Sequence, residues 1–397
     1  MDQSLINSPL GVMTVLVAVA AFWFAVEQKT RWKMFAFFPP LLFIYATPIL
    51  LSNTGVIPHS NAAYDFLRAY ALPVFIALML LKVDVLGAIR IMGKGVFVML
   101  IGSIGVVVGG VTAYAIAVGA GVLPADSWAA FGTLAGSWIG GTGNMNATWA
   151  ALDGRPEHMT MAAVADNLVY IIWLPILLGS KAFAERFNRW ARVPEGRVEA
   201  MLEAAEAHGK APVPPRMQDL LYLAVIALGL TWISIALAAW LPELTLGGEV
   251  IVSESTWVVL LVTTFSLIAS TTPARKLPGA SPIAMAIIYV FVANIGARAD
   301  LSAANLGEMG WFVAAAYAWI FIHGAFILFG AWLFRVDVHT LAIASAANIG
   351  GAASAPVVAA HHRESLVPAS ILMALIGYAI GNYLAILTGR IAQLIGG

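Results

Sequence analysis

Gly132-Thr-Leu-Ala-Gly-Ser-Trp-Ile-Gly-Gly-Thr-Gly-Asn-Met-Asn146 interrupts an apolar segment that runs from Trp128 to Leu152. Gly136, Gly140, Gly141 and Gly143, followed by Asn144 and Asn146, predict a helix that breaks inside a membrane. Hydrocarbon offers no partner to the N–H and C=O groups that a break frees, so broken backbone persists only where protein or a water-filled cavity satisfies it. The stretch is therefore expected to line a binding site.

A second copy stands in the other half of the chain, Leu341-Ala-Ile-Ala-Ser-Ala-Ala-Asn-Ile-Gly-Gly-Ala-Ala-Ser-Ala-Pro356. Setting Ser137-Trp-Ile-Gly-Gly141 against Ala347-Asn-Ile-Gly-Gly351 aligns the two breaks, and a short polar turn follows each, Asp153 to His158 and His361 to Glu364. Two helices upstream, Lys82-Val-Asp84 matches Arg298-Ala-Asp300. Glycine-interrupted segments in corresponding positions of two halves point to the binding site of a secondary transporter.

Composition agrees. Of 397 residues 61% are hydrophobic and 11% charged, with a mean hydropathy of +0.87, far from the roughly 25% charged content of soluble domains. The expectation is an all-α polytopic membrane protein. Zero net charge gives no reason to expect nucleic acid as a partner. The absence of cysteine excludes disulfides, thiolate catalysis and cysteine-based metal sites. The first apolar run, Leu10 to Val26, follows Asp2 rather than a basic region and precedes Lys29, Arg31 and Lys33, so it reads as a retained helix rather than a signal peptide.

Twelve apolar segments follow one another: 10–26, 35–51, 66–81, 96–118, 128–152, 159–179, 220–241, 257–270, 283–295, 311–334, 339–360 and 366–387. The long connection, 181–217, is rich in Lys and Arg and closes on Ala211-Pro-Val-Pro-Pro215, the mark of a cytoplasmic linker. It divides a first membrane repeat, 1–180, with an extra N-terminal helix, from a second, 218–397. If each broken segment (128–152 and 339–360) crossed the membrane once, the basic turns at Lys29 and at Arg90 with Lys94 would not share a side with the linker. If each is a re-entrant hairpin, those turns, Arg275 with Lys276, Arg335 and Arg363 all fall inside, and Glu243, Glu249 and Glu254 fall outside. Positive-inside bias therefore favours hairpins, leaving about ten transmembrane helices and two repeats of opposite orientation.

The run Leu78-Met-Leu-Leu-Lys-Val-Asp84, the broken Gly-Gly segment and Ala165-Asp-Asn-Leu168 together resemble the bacterial membrane family DUF819, grouped with the cation:proton antiporter and anion transporter superfamily. That superfamily includes sodium/glutamate, 2-hydroxycarboxylate and bile acid symporters. The resemblance covers most of the chain and implies inverted repeats, a scaffold domain, a mobile core domain holding the broken helices, and elevator-like alternating access in the inner (cytoplasmic) membrane. It also implies homodimerisation through scaffold helices. By position it places ions and solute beside Gly140, Gly141, Thr142, Asn144 and Asn146 in one repeat and Asn348, Gly350, Gly351 and Ser354 in the other. Asp166-Asn167 resembles the acid-containing pair of the antiporter relatives, although with one acid rather than two.

From the residues themselves, Asn144 and Ser354 are placed to cap the half-helices that follow the breaks, whose N-termini suit a carboxylate or another anion; close helix packing is the alternative reading of the glycines. Asp166 falls about seven residues into its apolar segment, and an ionised Asp costs about 2.5–3.5 kcal/mol near a bilayer centre, so it is expected to face the interior and to couple an ion, with Asn167 beside it. Ser137, Trp138, Tyr170, Tyr378, Asn382 and Tyr383 are further cavity candidates. Lys82 with Asp84 and Arg298 with Asp300 read as interfacial anchors, or as a gate. His323 reads as a packing residue before a proton relay, and His361-His362 lacks further ligands for a metal.

Gly140-Gly-Thr-Gly143 follows a helix and no Lys-Ser/Thr follows it, so it is not a phosphate loop, and no catalytic spacing stands out. The expected protein is not an enzyme and has no cofactor beyond Na+ or H+ as coupling ion. It is read as a secondary active transporter of a small anionic or zwitterionic organic solute. The alternatives are a cation/proton antiporter using Asp166, or a membrane-embedded subunit or sensor that carries nothing.

Overall fold

The computed structural model describes residues 4–32, 35, 40–84, 89, 92–194, 214–246, 249–299, 306–363 and 366–396. Asp300, Arg90 and residues 195–213 of the linker lie outside them.

The apolar runs fold as helices because a helix alone satisfies its own backbone away from water. They are α1 (Pro9–Thr30), α2 (Pro40–Asn53), α3 (Ala62–Leu80), α4 (Lys94–Gly119), α5 (Trp128–Ala151), α6 (Pro156–Gly179), a short α7 (Ala184–Trp190), α8 (Met217–Ala238), α9 (Glu254–Ser270), α10 (Ala280–Arg298), α11 (Leu306–Phe334), α12 (Val338–Ile349), α13 (Gly351–His362) and α14 (Val367–Gly396). A two-stranded antiparallel ribbon, β1 (Leu244–Leu246) and β2 (Glu249–Val252), joins α8 to α9. Among the described residues, eight helices are long and apolar enough to cross a membrane: α1, α3, α4, α6, α8, α10, α11 and α14. α2 and α9 are shorter apolar helices. α1 to α6 precede residues 181–217, and α8 to α14 run from Met217 onward.

Both broken segments fold back on themselves. In α5 the break is at Gly141, whose φ of 74° and ψ of −173° lie outside any helix. A Cβ on Gly136 would lie 2.7 Å from the carbonyl oxygen of Asn144 and 2.9 Å from Cα of Met145, residues that would be on the order of 12 Å or more away along a continuous helix rising 1.5 Å per residue. In the second segment His339 opens α12, His362 closes α13, and their Nδ1 atoms are 2.9 Å apart. Each arm reaches at most about 20 Å, short of the roughly 30 Å hydrocarbon layer. Hairpin 1 is thus α5, and hairpin 2 is α12 with α13.

The hairpins enter from opposite ends of α6. Trp149, near the base of hairpin 1, donates through Nε1 to the carbonyl of Arg155 at the start of α6 (2.9 Å). His362, at the base of hairpin 2, bonds through Nε2 to the carbonyl of Leu177 near the end of α6 (2.9 Å). Asp337 caps α12, accepting from the backbone N–H of Thr340 at 2.9 Å and its hydroxyl at 2.7 Å. Because Asp337 is fully buried, Asp337→Ala is expected to destabilise the protein by about 1–2 kcal/mol, read as a lower midpoint of thermal unfolding in detergent.

The helices sort into two packed groups. One contains α1, α2, α3, α8, α9 and α10; the other contains α4, α6, α11, α14 and both hairpins. Contacts between the groups are sparse and fall mainly along α9, where it meets α5 and α14, and where α10 meets α6.

Candidate functional site

The two hairpin tips meet. A Cβ on Gly351 would lie 3.5 Å from Cα of Gly141, and Cβ positions at both glycines would touch the ring of Tyr378 on α14, at 3.3 Å from Gly141 and 3.4 Å from Gly351. Gly141 has φ 74° and Gly351 φ 58°, left-handed values that a side chain makes costly. Glycine is needed here for backbone conformation and for close approach together.

Beside this crossing lies a cavity of about 30 Å³, bounded by hairpin 1 and α6 from one group and by α2 and α10 from the other. Its polar lining is Thr142, Asn146, Asp166, Asn167 and Tyr45; Met145, Met159, Ala163, Val292 and Ile295 supply apolar wall. A space of this size admits a water or two, or a small ion, but no organic molecule. Among the described residues, Asp166 is the one carboxylate in the lining. Its Oδ2 accepts from the Ser137 hydroxyl at 2.7 Å and its Oδ1 from the Trp138 indole N–H at 2.9 Å. Asn146 donates to the carbonyl of Thr142 at 2.6 Å, which leaves its buried Oδ1 without a partner among the described residues. The Asn167 amide is turned back on its own helix, donating to the Ala163 carbonyl at 2.8 Å.

The sequence candidates thus divide. Thr142, Asn146, Asp166 and Asn167 line one cavity, with Gly141 and Gly351 at the crossing beside it. Ser137 is engaged by Asp166. Gly140 and Gly381 enclose the carboxamide of Asn144, which donates to the carbonyl of Tyr378 at 3.0 Å. Asn144 therefore ties the tip to α14 rather than capping the second arm. Ser354 likewise does not precede its helix: α13 starts at Gly351 with no side-chain cap bond from Gly350. Its hydroxyl lies instead over Gly350 and bonds to Tyr170 on α6. Asn348 donates to Ser103 on α4 at 2.8 Å, and Asn382 to Thr263 on α9 at 2.8 Å, both facing neighbouring helices.

His323 is paired on both ring nitrogens, Nδ1 with the Gly102 carbonyl at 2.9 Å and Nε2 with the Ser345 hydroxyl at 3.0 Å. The carbonyl only accepts, so Nδ1 carries the proton, and the neutral ring then accepts from Ser345 at Nε2. The charged pairs at helix ends bind within the first group of helices. Lys82 donates to the carbonyls of Arg275 and Leu277, Asp84 pairs with Arg275 at 2.7 Å, and Arg298 pairs with Asp65 at 2.6 Å. Burial lowers the pKa of Lys82.

Sequence reasoning did not find the contribution of α2 and α10. Tyr45 bonds to Thr160 of α6 at 2.6 Å across the junction of the two groups, and Val292 and Ile295 close the wall.

A family model described as "Protein of unknown function (DUF819)" matches residues 14–395. The uncharacterized membrane protein YjcL of Bacillus subtilis (strain 168) is 26% identical over 407 residues, which cover 98% of each chain.

Proposed function

The chain belongs to the DUF819 family, and from that premise we propose that this membrane protein is a secondary active transporter, not an enzyme, in which Asp166 holds a coupling cation and the crossing hairpins hold a small organic solute. The observation that carries the reading is the meeting of the Gly141 and Gly351 tips beside a buried carboxylate. Two short hairpins entering from opposite ends support inverted repeats. The sparse contact between the two helix groups supports a scaffold and a mobile core that moves in elevator fashion.

The donor set suits a small monovalent cation or a proton. Its polar residues are one aspartate, a threonine, a tyrosine and two asparagines, and oxygen ligands select hard cations. Among the described residues no lysine or arginine lines the cavity, so an anionic solute would meet the charge of Asp166 unless a cation neutralised it first. That ordering is what couples solute to ion, with the hairpin N-termini supplying partial positive charge. On this reading the small volume is that of the ion site, and solute enters when the groups separate.

The same volume favours a second reading, a cation/proton antiporter in which Asp166 alternates between ions. Purified protein in liposomes containing a pH-sensitive dye separates the two. Imposed Na+ gradients that move protons with no organic solute present favour the antiporter; solute accumulation that requires the gradient favours the symporter. Gradient-independent behaviour in both assays would overturn the transporter reading. The proposed setting is a bacterial inner membrane with residues 181–217 cytoplasmic, in keeping with the basic residues at the base of hairpin 2: Lys181 donates to the carbonyl of His361 at 2.7 Å.

A further inference from the structure

Ser137 and Trp138 are adjacent on the first arm of hairpin 1, and between them they occupy both oxygens of Asp166. Trp138 is fully buried and is held from behind by Trp319 of α11, with ring centroids 4.6 Å apart. Trp319 itself donates to the Val106 carbonyl on α4 at 2.7 Å. The indole N–H is therefore aimed by a fixed wall. The second arm of the same hairpin, through Thr142, Met145 and Asn146, faces the cavity that Asp166 also lines. One carboxylate thus stands between the arm that grips it and the space where an ion would sit.

We propose that Ser137 and Trp138 are positioning residues that read the charge of Asp166 and hold hairpin 1 shut while that charge is uncompensated. This deepens the reading above, on which it rests for the role of Asp166. A bare carboxylate accepts at both oxygens, and hydrogen bonds to an ionised acceptor are roughly twice as strong as neutral ones. A neutral carboxamide in its place can turn its oxygen to the Trp138 indole and donate its NH2 to the Ser137 oxygen, but both bonds then lose their charge assistance and weaken. A cation at Asp166 acts in the same direction by drawing lone pairs toward the cavity. Either change loosens the first arm from α6. Ser137, expected from sequence to touch solute, belongs on this account to the coupling machinery, and Trp138 gains a role beyond packing.

The test uses the full chain, which contains no cysteine, so a single Met145→Cys reports exposure of the cavity wall through its rate of maleimide modification at fixed pH without added Na+. Asp166→Asn is expected to raise that rate about tenfold, the worth of the lost charge assistance. Ser137→Ala with Trp138→Phe removes both bonds and is expected to raise the rate at least as far, and adding Asp166→Asn to that pair is expected to change nothing further, because the bonds it would weaken are already gone. Ser137→Thr, which keeps the hydroxyl, is expected to retain a slow rate, and thermal unfolding of each variant checks that a fast rate does not come from misfolding. Additive effects, or a rate indifferent to Asp166→Asn, would overturn the proposal. None of these readouts needs solute flux, so a failure of the transporter reading would show separately, in the liposome assays.

Discussion

Gly136→Val leaves little folded protein. The Cβ alone would press on the carbonyl oxygen of Asn144 at 2.7 Å and on Cα of Met145 at 2.9 Å; these are backbone atoms of the facing arm, which a rotamer change does not relieve. Overpacking of buried sites costs typically 1–3 kcal/mol, and here two further methyl groups enter a fully buried seam, so a loss of about 3 kcal/mol or more is expected. The control is Gly229 in the middle of α8, where a Cβ would meet nothing within 4 Å. Gly229→Ala is expected to be neutral or to stabilise by about 0.5–1 kcal/mol through backbone entropy. Thermal unfolding and size-exclusion profiles in detergent read both. Equal behaviour of the two variants would mean that the arms of hairpin 1 do not face each other.

Asp166→Asn removes ion coupling while leaving the fold intact. The side chains are nearly isosteric, and the replacement keeps one acceptor for the Ser137 hydroxyl or the Trp138 indole. It also removes the cost of a buried charge, so without ions the variant is expected to be at least as stable as the parent. With the carboxylate gone a cation loses its charged ligand, and breaking one side of a buried charge pair costs about 3–5 kcal/mol, which is a hundredfold or greater loss of affinity. Na+-dependent thermal stabilisation and gradient-driven flux are expected to vanish together. Retention of either would place the coupling ion elsewhere.

The breaks were legible because a cluster of glycines weakens a helix at the very depth where lipid most demands one, and the structure bends the chain at Gly141 and at Gly350–Gly351. The fold-back of each segment was legible from the placement of Lys and Arg rather than from length, since about 25 residues of helix would also have spanned the membrane. Asp166 announced itself as the acid in an apolar helix. What stayed hidden is long-range. Tyr45 and Thr160 are 115 residues apart in sequence, and no local pattern says that α2 closes the cavity. The direction of an asparagine side chain is likewise set by its neighbours: Asn144 reaches α14 because Gly140 and Gly381 leave it room, and Asn382 reaches α9 because Thr263 faces it. Lys82, Asp84 and Arg298 found carbonyl and charged partners within one group of helices, which their spacing in sequence does not encode.

Where α9 meets the second group its hydroxyls fall in two clusters, with Val259 and Val262 buried between them. Ser253 and Ser255 donate to Asp153, Thr256 to the Ala151 carbonyl, and Thr263 and Thr264 meet Asn382 and Tyr383. A hydroxyl both gives and takes a hydrogen bond and turns freely to do so, so the net worth of each such bond is modest, about 0.5–1.5 kcal/mol. These bonds belong to the polar part of the junction between the two groups of helices, and the movement proposed above would have to exchange them. The ion pair of Arg68 with Asp153 joins α3 to the turn between hairpin 1 and α6 at the same end, and the movement proposed above would require it to release as well.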